Sequence, residues 1–285
     1  MKIQDSLFGV NKLRVIRNYP LNNIKIANAF GRGILAIGCS LLLTFGACQA
    51  PQSTDTGTDG DGDGFVQIFD GKTLDGWEGD ENLWRVEDGK LIGEITPATQ
   101  LDRNSFIIWK GDMPADFELK VEFKISKNGN SGINYRSERV EEVPYGLRGY
   151  QADLDGQKNY TGSNYEERRR TTLASQGEVV VVPAVENADS INNYSQGNQW
   201  TPRNVTSSLG SRESMQAAIK DEDWNEYHLI VNGNRLQHKV NGVLISDVTD
   251  NDTINLRTDG LLGVQVHVGP PMKIAYKNFR LKALK

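Results

Sequence analysis

Gln265 and His267 are separated by one residue in the run Val264-Gln265-Val266-His267-Val268. Apolar and polar residues alternate there, the period-2 mark of a half-buried β-strand, so the valines share one face and the amide and imidazole the other. Gly269-Pro270-Pro271 then stops the strand, because proline has no N–H for the ladder. An imidazole takes or gives a proton near neutral pH, and an amide beside it can donate or accept a hydrogen bond. Two other stretches show the same alternation. From Gly132 to Glu138 the side chains of Asn134, Arg136 and Glu138 share a face, and from Tyr150 to Asp155 those of Gln151, Asp153 and Asp155 do. Side by side, the three stretches would form a concave floor of acids, amides and bases suited to hydroxyl-rich sugars. The pattern equally admits three solvated faces, with Arg136 in a plain ion pair with Glu138 or Asp153.

The elements that must position these residues read as strands. Phe117 to Ile125 alternates over its whole length, with one core face and one charged face. Asp88-Gly89 and Asn232-Gly233-Asn234 mark hairpins. Strands are expected at 65–69, 83–87, 90–94, 106–109, 178–182, 224–231, 235–240, 243–246 and 273–281. Only Arg212 to Lys220 suggests a helix. Such a chain is all-β, a sandwich of two antiparallel sheets with long loops and at most one or two short helices. The loop from Gln157 to Thr172 brings Tyr160, Tyr165, Glu166, Glu167 and Arg168-Arg169-Arg170 next to the Asp153 strand, where aromatics and arginines suit ring stacking and oxyanion contact. A solvated charge run is as good a reading of the middle arginine. The segment from Asn187 to Asn204, with Tyr194 and Trp200, is placed to cover one end of the floor. His238 alternates with Leu236 and Val240 and reads as packed, while His228 suits the floor or an outer face.

Before residue 65 the chain changes character. Lys2, Lys12, Arg14, Arg17, Lys25 and Arg32 precede an apolar run from Ile34 to Phe45, the pattern of a secretion signal over 1–47. Phe45-Gly46-Ala47-Cys48 resembles a bacterial lipoprotein cleavage box, which would make Cys48 the lipidated first residue and place the protein in the cell envelope, anchored by lipid alone. Residues 48–64 read as a flexible tether and 65–285 as one domain. Cys39 falls in the leader, so no cysteine is left for a disulfide, a thiolate zinc site or a nucleophile. A formal charge of -5 and a pI near 5.4 argue against a nucleic-acid partner. Asp59-Gly60-Asp61-Gly62-Asp63-Gly64, with Asp70 at the twelfth position, copies the start of a calcium loop, but flanking helices are missing and 65–70 reads as a strand.

An ordered set of motifs then points to a family. Leu74-Asp75-Gly76-Trp77, Asn130-Ser131-Gly132-Ile133-Asn134-Tyr135-Arg136, Gly149-Tyr150-Gln151-Ala152-Asp153, Tyr165-Glu166-Glu167, Trp224-Asn225-Glu226-Tyr227, Val240-Asn241-Gly242 and the Gly263-to-Met272 stretch together resemble the 3-keto-disaccharide hydrolase domain. The resemblance covers 65–285 and implies a concanavalin-like, laminarinase-like jelly roll. It departs at Arg168 to Thr172, where a glycine-containing segment is expected. Laminarinase-type glucanases carry Glu-x-Asp-x-x-Glu; here Gln151 stands where the nucleophile would be. A retaining pair needs two carboxyls about 5–5.5 Å apart, and an amide cannot be one of them.

The resemblance implies cleavage of glycosides oxidised at sugar carbon 3. Such a ketone acidifies the C2 proton, so a base can expel the group on C1 by elimination, with water adding afterwards. His267 is the expected base, oriented by Asp153 or Gln265, with Arg136 or a divalent metal stabilising the enolate. Asp153, Glu138 and His267 are the candidate metal ligands. Gln151, Glu138, Asn134, Tyr165, Glu166 and Trp200 are expected to hold substrate. A non-catalytic lectin-like module would use the same floor, relying on Trp200, Tyr165 and Arg136 and not on His267. An adhesion domain would bind no small sugar.

Overall fold

The computed structural model describes residues 62–285; the expected leader, Cys48 and the tether up to residue 61 lie outside them. Asp70, at the twelfth calcium-loop position, instead accepts the backbone N–H groups of Lys72 at 2.8 Å and Thr73 at 2.9 Å.

The alternating segments pair into two sheets. The first has 10 strands, in the order Asn204–Ser208, Glu178–Val182, Val243–Asp250, Arg235–Val240, Asn225–Asn232, Phe117–Ile125, Met272–Ala283, Lys90–Ile95 and Trp84–Glu87, with Val66–Gln67 also on Met272–Ala283. The second has 9: Ser195–Gln196, Gln199–Trp200, Thr171–Ala174, Asn164–Glu167, Gly146–Asp155, Asn130–Val140, Leu261–Val266, Ser105–Trp109 and Trp77–Glu78. Pairing is antiparallel except between Thr171–Ala174 and Gln199–Trp200 and between Glu178–Val182 and Val243–Asp250. The α-helices are Ile191–Tyr194 and Arg212–Ala217, the latter capped by the Ser211 side chain. The expected all-β sandwich of the jelly-roll class is what the chain forms.

The core fills the space between the sheets. Phe117, Leu119, Val121 and Phe123 of the first sheet meet Ile133, Tyr135, Tyr150, Ala152 and Leu154 of the second. Each large apolar side chain buried this way contributes about 1.5–3 kcal/mol. Val264 and Val266 point inward as their alternation predicts. Gly93 lets Trp84 and Val266 close over it, since a Cβ there would lie 2.6 Å from Trp84 and 2.8 Å from Val266. Polar groups also cross the interface. His238, wholly buried, bonds the hydroxyls of Tyr135 at 3.0 Å and Tyr227 at 3.1 Å, and burial lowers its pKa to about 4. Arg170, also wholly buried, pairs with Glu166 at 2.5 Å and Asp250 at 2.6 Å. With both members desolvated, such pairs persist because losing either would strand a charge.

Packing these inner faces leaves the outward face of the second sheet to carry polar side chains. That face holds the site.

Candidate functional site

Register settles which polar faces meet. Asn134 lies opposite Gln151 and Gly132 opposite Asp153, while Gly263 pairs with Asn134 on the other side. Directly paired residues point to the same side of a sheet, so Asn134, Gln151, Asp153 and Gln265 share the outward face. Gly132 is needed there, because a Cβ would lie 2.5 Å from the Gln151 side chain. Gln265 Nε2 donates to Gln151 Oε1 at 3.1 Å, and Gln151 Nε2 donates to Asp153 Oδ1 at 2.8 Å. The amides thus form a relay that fixes the carboxylate.

Above this relay is a pocket of about 210 Å³, lined by Gln151, Asp153, Tyr165, Glu167 and His267 and walled by Asn130, Tyr160, Thr172 and Asn198. His267 lies just past the end of Leu261–Val266, its N–H still donating to the Asn130 carbonyl at 3.2 Å. Its Nδ1 is 2.6 Å from the Val268 carbonyl, which can only accept. Nδ1 is therefore the donor, and the neutral ring would carry its lone pair on Nε2. Asn104 ties this segment to the acid opposite: its Oδ1 accepts the Val268 N–H at 3.0 Å and its Nδ2 donates to Glu167 Oε1 at 3.1 Å.

The carboxyls of the pocket resist ionisation. Burial pushes the Asp153 pKa well above the usual carboxylate range, and the nearby Glu167 and Asp155 add to this against the Gln151 hydrogen bond. Burial also raises Glu167, opposed by the Asn104 hydrogen bond, Arg168, His267 and Gln265. Burial, then Glu167 and Asp153, raises the Tyr165 hydroxyl, which donates to Asn198 at 3.1 Å. An imidazole beside two carboxyls whose pKa values burial raises is a set that can take a proton and hydrogen-bond a growing oxyanion.

Several expected residues stand elsewhere. Arg136 has φ +43° at a register shift in Asn130–Val140, and this β-bulge breaks the alternation that would have put it on the floor. Its guanidinium donates to the carbonyls of Ala115, Gly233 and Arg257 and to Asp116, at 2.8–3.1 Å. It is a clamp on loops and does not line the pocket. Glu138, past the bulge, pairs with Arg148 and with Arg257 at 2.8 Å, so the set Asp153, Glu138 and His267 is not assembled as metal ligands. Among the described residues no cluster of three or more His, Cys, Asp and Glu side chains is arranged to hold a metal. Glu166 points inward to Arg169 and Arg170, because Gln151 pairs with Tyr165 and Tyr150 with Glu166. Trp200 is buried in the core against Tyr194, 5.6 Å between ring centroids. Asn134 is on the correct face but wholly buried, and Gln265 acts beneath Gln151.

Glu167 takes the place assigned to Glu166, and the period-2 rule applied to Tyr165-Glu166-Glu167 carries that signal. Asn104 sits in a connection between strands, where no local pattern marks it.

Residues 64–282 match the 3-keto-alpha-glucoside-1,2-lyase-like domain family. A 3-keto-disaccharide hydrolase of Bacteroides thetaiotaomicron is 39% identical over 87 residues, which is 28% of this chain and only 30% of that relative's length. Among solved structures, a candidate glycosyl hydrolase from Parabacteroides distasonis has a TM-score of 0.49 at 17% identity, covering 79% of this chain and 95% of its own. A carbohydrate-binding module from Bacillus subtilis has a TM-score of 0.44 at 14% identity, covering 73% and 96%. With 64–282 accounted for by one family over this sandwich and pocket, the chain belongs to the 3-keto-alpha-glucoside-1,2-lyase-like domain family.

Proposed function

We propose that the protein cleaves the glycosidic bond of 3-keto-glycosides by base-assisted elimination followed by hydration. The observation that carries this reading is the meeting, in one pocket, of the His267 imidazole with the Asp153 and Glu167 carboxyls. His267 Nε2 takes the C2 proton, and the C–H electron pair passes through the enolate into a C1–C2 double bond. The C1–O bond breaks with its pair on the departing oxygen, which takes the proton back from the imidazolium. Water then adds across the double bond, hydroxyl to C1 and proton to C2, again through His267. The protonated member of the Asp153–Glu167 pair donates a hydrogen bond to the enolate oxygen, the service expected of Arg136. No step is routed through a metal. The same proposal places the domain in the bacterial cell envelope, held by lipid on Cys48 through the tether, as its N-terminal sequence suggests.

The test is incubation with a 3-keto-glucoside and with its unoxidised parent, with and without chelator. Release from the keto form alone supports elimination. His267→Ala should lower kcat by about 10²–10⁴-fold with an unchanged melting temperature, the range for losing a general base. Loss of activity with chelator would add a metal to the mechanism. Binding of either glycoside without release would make the domain a lectin-like module instead.

A further inference from the structure

The first sheet carries a groove of about 320 Å³ on its outward face, across the sandwich from the catalytic pocket. Register builds its floor. Ile92 lies opposite Ala275, and Ala275 opposite Lys124, so the three side chains share one face. Their chain neighbours Leu91, Phe123, Ile274 and Tyr276 turn into the core. Along its own strand Ala275 is flanked on the outward face by Lys273 and Lys277. A single methyl between two long side chains makes the hollow. Trp224, half-buried just before Asn225–Asn232, forms one wall. The Lys277 Nζ lies 4.2 Å from the centroid of its ring and steadies it. We infer that this groove is a second, non-catalytic glycan site, which seats one ring of an acidic, uronate-bearing polysaccharide and lays the chain across the lysines beside it.

The charges of this face carry the argument. Lys124 is exposed at the edge of the hollow. Lys120 stands on the same face four residues earlier, about 13 Å along the strand. It is paired with Arg280 on one side and His228 on the other, and His228 is paired with Lys239. Four basic residues thus fill one row across four strands, an arrangement that costs stability by itself and that a polyanion lying across it would offset. The carboxylates nearby are engaged elsewhere. Glu118 meets His228 at 2.8 Å and Lys282 at 3.7 Å, Glu122 meets Lys277 at 3.2 Å, and Glu226 meets Arg280 at 3.4 Å. Among the described residues no ion pair neutralises Lys120, Lys124 or Lys239. Lys120 instead stacks on the Phe65 ring at 4.6 Å, which steadies the charge without cancelling it.

Two carboxylates line the groove itself, and both are occupied. Glu87 is held by Arg85 at 3.1 Å and Lys273 at 3.7 Å, and Glu222 accepts the Lys127 N–H at 3.3 Å. A uronate supplies what the remaining groups lack: carboxylates for the lysines and an apolar ring face for the tryptophan. The hollow over Ala275 gives a sugar ring room to stand against Trp224, a depth that a flat layer of lipid headgroups could not use.

The experiment titrates the protein calorimetrically with polygalacturonate and with its methyl ester, the same polymer without the charge. Polygalacturonate should bind, and the ester about tenfold more weakly or less. Lys124→Glu and Ala275→Leu should each weaken polygalacturonate binding about tenfold, one by reversing a charge and the other by filling the hollow. Both side chains face outward, so melting temperature and turnover of a 3-keto-glucoside should stay at parent values. His267→Ala should bind polygalacturonate as the parent does. No binding of polygalacturonate, or an affinity untouched by both groove variants, overturns the inference. Equal affinity for the ester overturns it as well, since the lysines would then play no part. Retention on phosphatidylglycerol vesicles that survives Ala275→Leu, with no polygalacturonate bound, would assign the face to a lipid surface instead. Because the groove is read by binding alone, failure of the proposed reaction leaves this test standing.

Discussion

Asp153 shows how the site costs the fold stability. Its carboxyl lies at the foot of the pocket beside Glu167 and Asp155, and its folded-state pKa stands well above the ordinary 3.8. The stability such a group contributes is complete below its unfolded pKa and is lost as pH rises through the raised folded value. Asp153→Asn keeps an oxygen for Gln151 and removes the charge. The variant should melt about 3 °C or more above the parent at pH 7, with the gap closing toward pH 4 and turnover lost. A melting temperature equal to the parent's at every pH would show that Asp153 carries no such penalty. Asn104 is a positioning residue on the same scale, linking the His267–Val268 backbone to Glu167. In Asn104→Ala, kcat should drop about 10–100-fold with KM little changed, as expected when reacting groups drift by a fraction of an ångström. A rise in KM at constant kcat would mean that it acts on substrate binding instead.

At the scale of elements, the bulge in Asn130–Val140 and the loop after Asn164–Glu167 redirect the side chains that simple alternation would have presented. Arg136 leaves the floor at the bulge and joins the 115–116, 233 and 257 backbones. Arg136→Ala should therefore cost about 3–5 kcal/mol in denaturant unfolding, because the Ala115, Gly233 and Arg257 carbonyls each lose the buried guanidinium donor. A loss of activity in a fully stable Arg136→Ala protein would return this arginine to the mechanism. After Glu167, Arg168 and Thr171 adopt φ 57° and 65°, the left-handed conformation that glycine takes without strain, in the segment where a glycine was expected. The buried ion pairs of Arg170 with Glu166 and Asp250 hold the segment in that shape.

For the whole molecule, the two sheets are joined by polar contacts as well as by apolar burial. His238 of the first sheet reaches Tyr135 of the second, and burial depresses its pKa from 6.5 to about 4. A depressed value means stability present above pH 6.5 and lost as pH falls through about 4, since the unfolded chain takes up the proton first. The acid limb of the stability curve should carry roughly 3 kcal/mol from this residue, and His238→Gln should flatten it. An unaltered acid limb in that variant would assign the loss to other groups.

Much was legible before any fold was known. The period-2 patterns from Phe117 to Ile125, Tyr150 to Asp155 and Val264 to Val268 determine which side chains face the core, because adjacent residues on a strand must point to opposite sides. His267, Asp153 and Gln151 could be named on that ground, Tyr165 as an aromatic of the loop beside them, and the ordered motifs carried the family. Strand adjacency could not be read, since it depends on pairing between segments far apart in the chain. Nor could the fate of Arg136, because a bulge is a property of two strands and shifts every side chain after it. The order of Glu166 and Glu167 was visible in the alternation but needed the register with Gly146–Asp155 to say which one faces outward. Asn104 came only from tertiary structure: a loop residue acquires its role from what the fold sets beside it, and no local periodicity records that neighbour.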